Sequence, residues 1–284
     1  MTDDEYRSIH AINYSALRVG RISLPRMHQI VTGTAPAEES AALATGTLLH
    51  DAMQHGDGWS SRYAVRPDGI DRRTKAGKEA YAAWLATLPT DAKILESASD
   101  VDEVDSVDAM RRSIMSHPLA RALATCTGES EVQIVDGGRK CRIDKIFISN
   151  GEPTMLIDWK STIDASPAGF ARSAAKYGYH QQAAWYVALA ERRYGKRLPF
   201  VFVAVESSSP HSVGVYQLVP DQLEAATIIN EGIVKAYREW VEAGAKMHHT
   251  GENVETLTLP EWACKITMPG QAASVGVADD SVPF

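Results

Sequence analysis

The sequence predicts an α/β fold in which a central mixed β-sheet is flanked by helices, with further helices added at the N-terminal side. Three observations predict it. Short apolar and β-branched runs separated by turn clusters fill residues 129–162. Helical periodicity dominates the chain before and after that stretch. Strand-like runs then resume at 200–206 and 213–218.

Taken in order, residues 6–32 read as short helices punctuated by Asn13, Ser15 and Ser23-Leu24-Pro25, with Pro25 suited to a first helical turn. The Ala- and Leu-rich run 38–54 predicts a helix that carries His50. His50 is either a helix-face imidazole satisfied by hydrogen bonds or a ligand for a divalent metal. The segment Asp71-Arg72-Arg73-Thr74-Lys75-Ala76-Gly77-Lys78 precedes a helix reaching about residue 88 and gathers Arg72, Arg73, Lys75 and Lys78 at its N-terminus. That is a phosphate contact or a solvated charged loop. It is not a P-loop, because Glu79 follows Gly77-Lys78 where Ser or Thr is required.

Residues 99–115 predict an acidic amphipathic helix with Val101, Val104, Val107 and Met110 on one side, and 118–124 a short one. Strands follow at 129–135 and 139–148, joined by Asp136-Gly137-Gly138. Helices are expected at 167–175 and 178–194. A closing helix over 220–243 should bury Leu223, Ile228, Ile229, Ile233, Val234 and Tyr237. A single domain is expected over 1–268, its helical part (1–125) supplying His50 and its sheet-centred core spanning 126–268. Residues 269–284 read as a disordered acidic tail ending in Phe284, either solubilising or a tip that docks on a partner.

Composition narrows the function. Cys126, Cys141 and Cys264 are scattered and form no CxxC pair, against a disulfide framework, a zinc site or an iron–sulfur cluster. There is no membrane-length apolar run and no signal-like start, so a cytoplasmic protein with no membrane partner is expected. The formal charge of −7 is awkward for a nucleic-acid enzyme, yet the acid concentrates at the N-terminus, at 96–108 and in the tail. Carboxylates around a metal also cease to repel DNA once the ion is bound.

The chemistry lies on the runs Cys141-Arg142-Ile143-Asp144-Lys145-Ile146-Phe147 and Met155-Leu156-Ile157-Asp158-Trp159-Lys160-Ser161-Thr162, predicted to be neighbouring strands. Alternation puts Asp158 and Lys160 on one face and Trp159 on the other. Asp144, Asp158 and the Trp159 backbone carbonyl could hold Mg²⁺, which wants hard oxygens and keeps several waters, while Lys160 orients or deprotonates the attacking water. Otherwise Asp144 caps a turn and Asp158–Lys160 is a surface ion pair. Glu129 and Glu131 alternate with Val132 and Ile134, and either could approach the carboxylates. Gln182 and Tyr186, four apart on one helix, share a face.

With these residues in place the chain resembles the catalytic domain of the RecE-type exonucleases (exonuclease VIII), a phage and prophage branch of the RecB-like PD-(D/E)xK nucleases. The likeness runs through Gly46-Thr47-Leu48-Leu49-His50, the basic segment 72–79, Glu129-Ser130, the strands bearing Asp144 and Asp158-Trp159-Lys160, Gln182 through Tyr186, and Leu257-Thr258-Leu259-Pro260-Glu261-Trp262. The resemblance implies a restriction-endonuclease-like core, with His50, Asp144, Asp158 and the Trp159 carbonyl on a divalent ion and Glu129 close by. Lys160 would activate water; Gln182 and Tyr186 would handle the DNA end. It implies Mg²⁺-dependent (Mn²⁺ substituting) 5′-to-3′ degradation of linear double-stranded DNA to leave 3′ single strands, a tetrameric ring and a RecT-like annealing partner. Ile143 stands where relatives often have proline. The alternatives are an inactive DNA-binding protein of the same fold and an endonuclease of restriction or repair type.

Overall fold

The computed structural model describes residues 1–36, 41–67, 69–89, 92–95, 98–247, 254 and 256–259. Elements run α1 (Asp3–Ser8), α2 (Tyr14–Gly20), α3 (Leu24–Val31), α4 (Ala41–His55), a 3₁₀ turn (Trp59–Arg62), β1 (Tyr63–Val65), α5 (Lys75–Leu85) and β2 (Lys93–Leu95). They continue with α6 (Ala98–Ser116), α7 (Pro118–Thr125), β3 (Gly128–Asp136), β4 (Arg139–Ser149), β5 (Glu152–Thr162), α8 (Pro167–Tyr177), α9 (Tyr179–Tyr194), β6 (Phe200–Glu206), β7 (Val213–Gln217) and α10 (Pro220–Glu242). Side chains start most helices: Thr2 and Glu5 form a capping box on α1, and Asn13, Ser23, Thr74, His117 and Ser166 each accept a backbone N–H at their helix entrance.

The main sheet has the order β3-β4-β5-β6-β7. It is antiparallel except where β5 lies parallel to β6, and the crossover between them is the α8–α9 pair. β6 is buried along almost its whole length, as a central strand covered on both faces must be. Side-chain alternation splits its residues. Phe200, Phe202 and Ala204 join Leu156 in a core under α2, α3, α8, α9 and α10, with Met27, Phe170, Trp185 and Val234. Val201, Val203 and Val205 join Ile157 and Trp159 in a second core under α4, α6 and α7, with Leu49, Val107, Met110 and Ile114. Each such large apolar side chain contributes about 1.5–3 kcal/mol of burial, so the N-terminal helices are one of the layers that close the sheet.

Some expectations need correcting. A second sheet of β1 and β2, paired in parallel with α5 as its crossover, was not expected, since two three-residue strands carry too little alternation to be read. On α10, Ile228 and Ile229 are exposed, and Ala226 and Asn230 take the buried positions beside Val234 and Tyr237. The predicted helix at 38–54 is described from Ala41. Cys264, Pro260-Glu261-Trp262 and the tail with Phe284 lie outside the described residues. Among those described, no helix is long and apolar enough to cross a membrane.

Candidate active site

The floor of the site is the place where β4 and β5 part. Their innermost ladder pair is Lys145↔Ile157. One residue farther in, the Asp144 carboxylate itself accepts the Trp159 N–H at 2.9 Å and takes over the role of a ladder carbonyl. Burial of Leu49 and Ala52 turns α4 so that His50 faces this gap. Its Nδ1 lies 3.3 Å from Asp144 Oδ1 and its Nε2 3.2 Å from the Trp159 carbonyl oxygen. Both ring nitrogens thus face oxygen acceptors, and an ion held by His50 would replace one of these contacts. Burial disfavours the charged ring, but Asp144 outweighs burial and the His50 pKa is raised. Burial likewise pushes Asp144 up, and the His50 charge, Lys160 and the Trp159 amide together bring it below the ordinary carboxylate value.

Glu131, not Glu129, is the glutamate that reaches this cluster. Ligand atoms of His50, Glu131 and Asp144 all lie within 4.8 Å of one another. The physical reason is register. Gly137 and Gly138 both have positive φ, giving the tight turn that pairs Asp136 with Arg139, and counting back sets 131 opposite 144 between the pairs Ser130↔Lys145 and Val132↔Ile143. Glu131 itself has φ +54°, unusual for a side-chain-bearing residue, in the middle of β3. Its carboxylate meets Arg142 Nε at 2.7 Å, and burial holds its pKa above normal against the pull of that guanidinium. Glu129 is exposed and acts electrostatically on Tyr194 at the far end of α9.

Asp158 is almost fully buried, and among the described residues neither of its oxygens finds a hydrogen-bond donor other than the Lys160 ammonium pressed against it. Burial pushes its pKa up to about 6, with Lys160 opposing and Asp144 reinforcing the rise. Burial should lower Lys160, but the two aspartates outweigh it and raise its pKa. Trp159 points the other way into the second core, as strand alternation requires. Asp158 stands outside the tight trio, held by its lysine.

His50, Glu131, Arg142, Trp159 and Lys160 line a cavity of about 480 Å³ together with Gln182, Tyr179, Tyr14 and Thr47, and the buried Asp144 and Asp158 are not among its lining residues. Gln182 Nε2 donates to the Tyr186 hydroxyl at 3.1 Å. Burial, with Asp144 and Asp158 nearby, lifts Tyr186 well above its ordinary value. Arg72, Arg73, Lys75 and Lys78 sit on and before the first turn of α5 and are not among the cavity's lining residues. Arg73 pairs with Asp71 at 2.9 Å, and the Arg72 guanidinium lies 4.9 Å from the Tyr81 ring centroid. A larger hollow of about 610 Å³ between β6, β7 and α10 contains none of the clustered groups.

Four contributors escaped the sequence reading. Asp51, next to His50, is buried and collects Arg62 and Lys93 at 3.0 Å each and the Tyr63 hydroxyl at 2.9 Å, tying the small sheet to α4. Arg142 bridges Glu131 to Asp3. Tyr14 and Tyr179 come from α2 and α9. Of these, Arg142 carried a signal, two residues before Asp144, as did Tyr179, three residues before Gln182.

The residues present fit a divalent cation: three carboxylates, a backbone carbonyl and an imidazole, including a buried carboxylate whose oxygens lack hydrogen-bond donors apart from one ammonium. The family model described as a PDDEXK-like domain of unknown function (DUF3799) matches residues 25–258. No curated protein matches the sequence. A solved structure of a candidate exonuclease from Eubacterium rectale is similar, with a TM-score of 0.58 and 13% identity over 94% of this chain and 99% of that one. At that identity the likeness speaks for the fold, and the mixed sheet flanked by helices agrees with it. By the span of the family match, the chain belongs to the PDDEXK-like family DUF3799, and its β5 strand carries Asp158-Trp159-Lys160 at the centre of the site.

Proposed function

We propose that the protein is a divalent-metal-dependent nuclease and, within that class, a RecE-type exodeoxyribonuclease that degrades one strand of linear duplex DNA from a 5′ end. The observation that carries the reading is the meeting of His50, Glu131 and Asp144, with the Asp158–Lys160 pair on the neighbouring strand, at a cavity that His50, Glu131 and Lys160 line. The metal ligands of this reading are His50, Asp144, Asp158, Glu131 and the Trp159 carbonyl. Membership of the PDDEXK-like family supports it, since such nucleases are generally metal-dependent. The strand polarity, the preference for Mg²⁺ with Mn²⁺ as substitute, a tetrameric ring and a RecT-like annealing partner follow the sequence resemblance alone.

A bound Mg²⁺ supplies Lewis-acid activation of the phosphodiester and of water. The chain's own residues do the rest. Lys160, beside Asp158, is placed to donate hydrogen bonds to the attacking water or to the phosphate. Asp144 fixes the gap between strands. Gln182 and Tyr186 present an amide and a hydroxyl beside it. Arg72, Arg73, Lys75 and Lys78 would follow the DNA backbone outside the cavity.

The test uses linear 5′-phosphorylated duplex, nicked circle and closed circle, each with Mg²⁺ or EDTA. Loss of the linear substrate alone, only with Mg²⁺ and abolished in Asp158→Ala, is expected. Opening of the closed circle would identify an endonuclease, and binding without degradation an inactive DNA-binding protein; either outcome overturns the exonuclease reading.

A further inference from the structure

The turn Tyr177-Gly178-Tyr179 joins α8 to α9 beside the cavity and is held rigidly. The Tyr14 hydroxyl is shared between the carbonyl oxygens of Tyr177 at 2.7 Å and Gly178 at 2.8 Å. Gly178, at φ +73°, ends one helix and starts the next, and a Cβ there would lie 2.5 Å from the Tyr14 hydroxyl oxygen. Only glycine meets both demands.

From the reacting centre outward the contacts form a chain. The Lys160 ammonium lies 5.1 Å from the Tyr179 ring centroid, and the Tyr179 ring stacks on Tyr177 with centroids 5.7 Å apart and planes 30° apart. Tyr179 lines the cavity, whereas Tyr177 is 41% exposed. Two exposed cations accompany the rings: Lys176, whose ammonium is 5.5 Å from the Tyr177 centroid, and Arg18, close enough to act on the hydroxyls of both Tyr14 and Tyr179. An aromatic ladder with cations beside it is the chemistry that holds a single nucleic-acid strand, bases on the rings and phosphates on the ammonium and guanidinium groups. Bases inside a duplex are already stacked on their neighbours and cannot present a free face. A ring that only closed a core would not leave two fifths of its surface in water.

We propose that Tyr177 is a stacking platform for an unpaired nucleobase of the strand whose phosphodiester reaches Lys160, so that the site takes DNA with a frayed or single-stranded end. The proposal rests on the nuclease reading and sharpens its substrate. A base arriving on Tyr177 would displace the Lys176 ammonium towards that nucleotide's own phosphate.

The experiment measures equilibrium binding of the full chain, in EDTA, to a blunt duplex and to the same duplex with a short single-stranded tail. 2-Aminopurine in the tail reports stacking by its fluorescence quenching. Wild type is expected to prefer the tailed duplex and to quench the probe. Tyr177→Ala and Tyr177→Leu, the latter keeping apolar cover on Tyr179, are expected to lose about 5- to 100-fold on the tailed duplex and the quenching with it. Both should keep blunt-duplex affinity and melting temperature, and Tyr177→Phe should retain everything. Unchanged tailed-duplex affinity in the Ala and Leu variants, or an equal loss on both substrates, overturns the proposal while leaving the nuclease reading intact. A wild type that binds neither DNA overturns both.

Discussion

Replacing Glu131 by Gln tests the assignment of the site glutamate against its neighbour two residues away. The ligand atoms of His50, Glu131 and Asp144 lie within 4.8 Å of one another. At 4.8 Å a carboxylate attracts each unit of positive charge by roughly 3.5 kcal/mol at an effective dielectric near 20, and by more at shorter range. Arg142, 2.7 Å away, already neutralises much of that carboxylate, and the Glu131 side chain is 19% exposed. About 1.4–2.8 kcal/mol is a reasonable remainder, which corresponds to a loss of roughly 10- to 100-fold in divalent-metal affinity. Calorimetric titration with Mn²⁺ should show that loss for Glu131→Gln, and half-maximal activity should move to higher Mg²⁺ by a similar factor. Glu129→Gln, at an exposed position outside the cluster, should stay within about twofold of wild type by the same 1.4 kcal/mol-per-decade scale. Equal losses for the two variants, or a larger one at 129, would refute the register argument and the site built on it.

Three further outcomes are expected. Lys160→Met should abolish turnover yet bind Mn²⁺ at least as tightly as wild type, because it removes the ammonium that competes for Asp158; calorimetry in parallel with the linear-duplex assay checks both. Glu231→Gln should cost about 1–2 kcal/mol at pH 7 in urea unfolding, less than a fully buried pair because Glu231 is half exposed while the Arg139 it pairs with is buried. A hydrogen bond from Arg139 depresses the Glu231 pKa, so the wild-type advantage is present above the unfolded glutamate pKa and disappears as pH falls through the lower folded value. Neutralising Arg72, Arg73, Lys75 and Lys78 together should weaken DNA binding without altering sequence preference. The log–log salt slope should shrink by up to about 3 to 4, against no change if these residues only solvate α5.

The sheet was legible because its strands are bounded by unambiguous turns. The expected strand at 200–206 coincides with β6, and the Asp136-Gly137-Gly138 cluster joins β3 to β4 as expected. That same turn favours Glu131, since a tight two-residue turn fixes every opposing pair, whereas the family resemblance points to Glu129. Asp158 and Lys160 sharing a face, with Trp159 opposed, followed from alternation alone. What could not be read were meetings set by tertiary packing. Asp51 gathers partners from the small sheet, and Tyr14 reaches the turn at 178 from the other end of the chain. On α10, helical period alone could not decide that Asn230 goes inward and Ile228 outward, because Asn230 is matched there to Gln181.

Asp144 serves two masters. By taking the Trp159 amide it stitches the inner end of the hairpin where the ladder stops, while its other oxygen faces the imidazole. Any shear of one strand past the other must therefore move this carboxylate, so the ligand geometry is a readout of how the two strands twist. Inactivity in an Asp144 variant mixes a lost ligand with an unpicked seam, and Asp158, which carries no backbone duty, is the cleaner position at which to silence the enzyme.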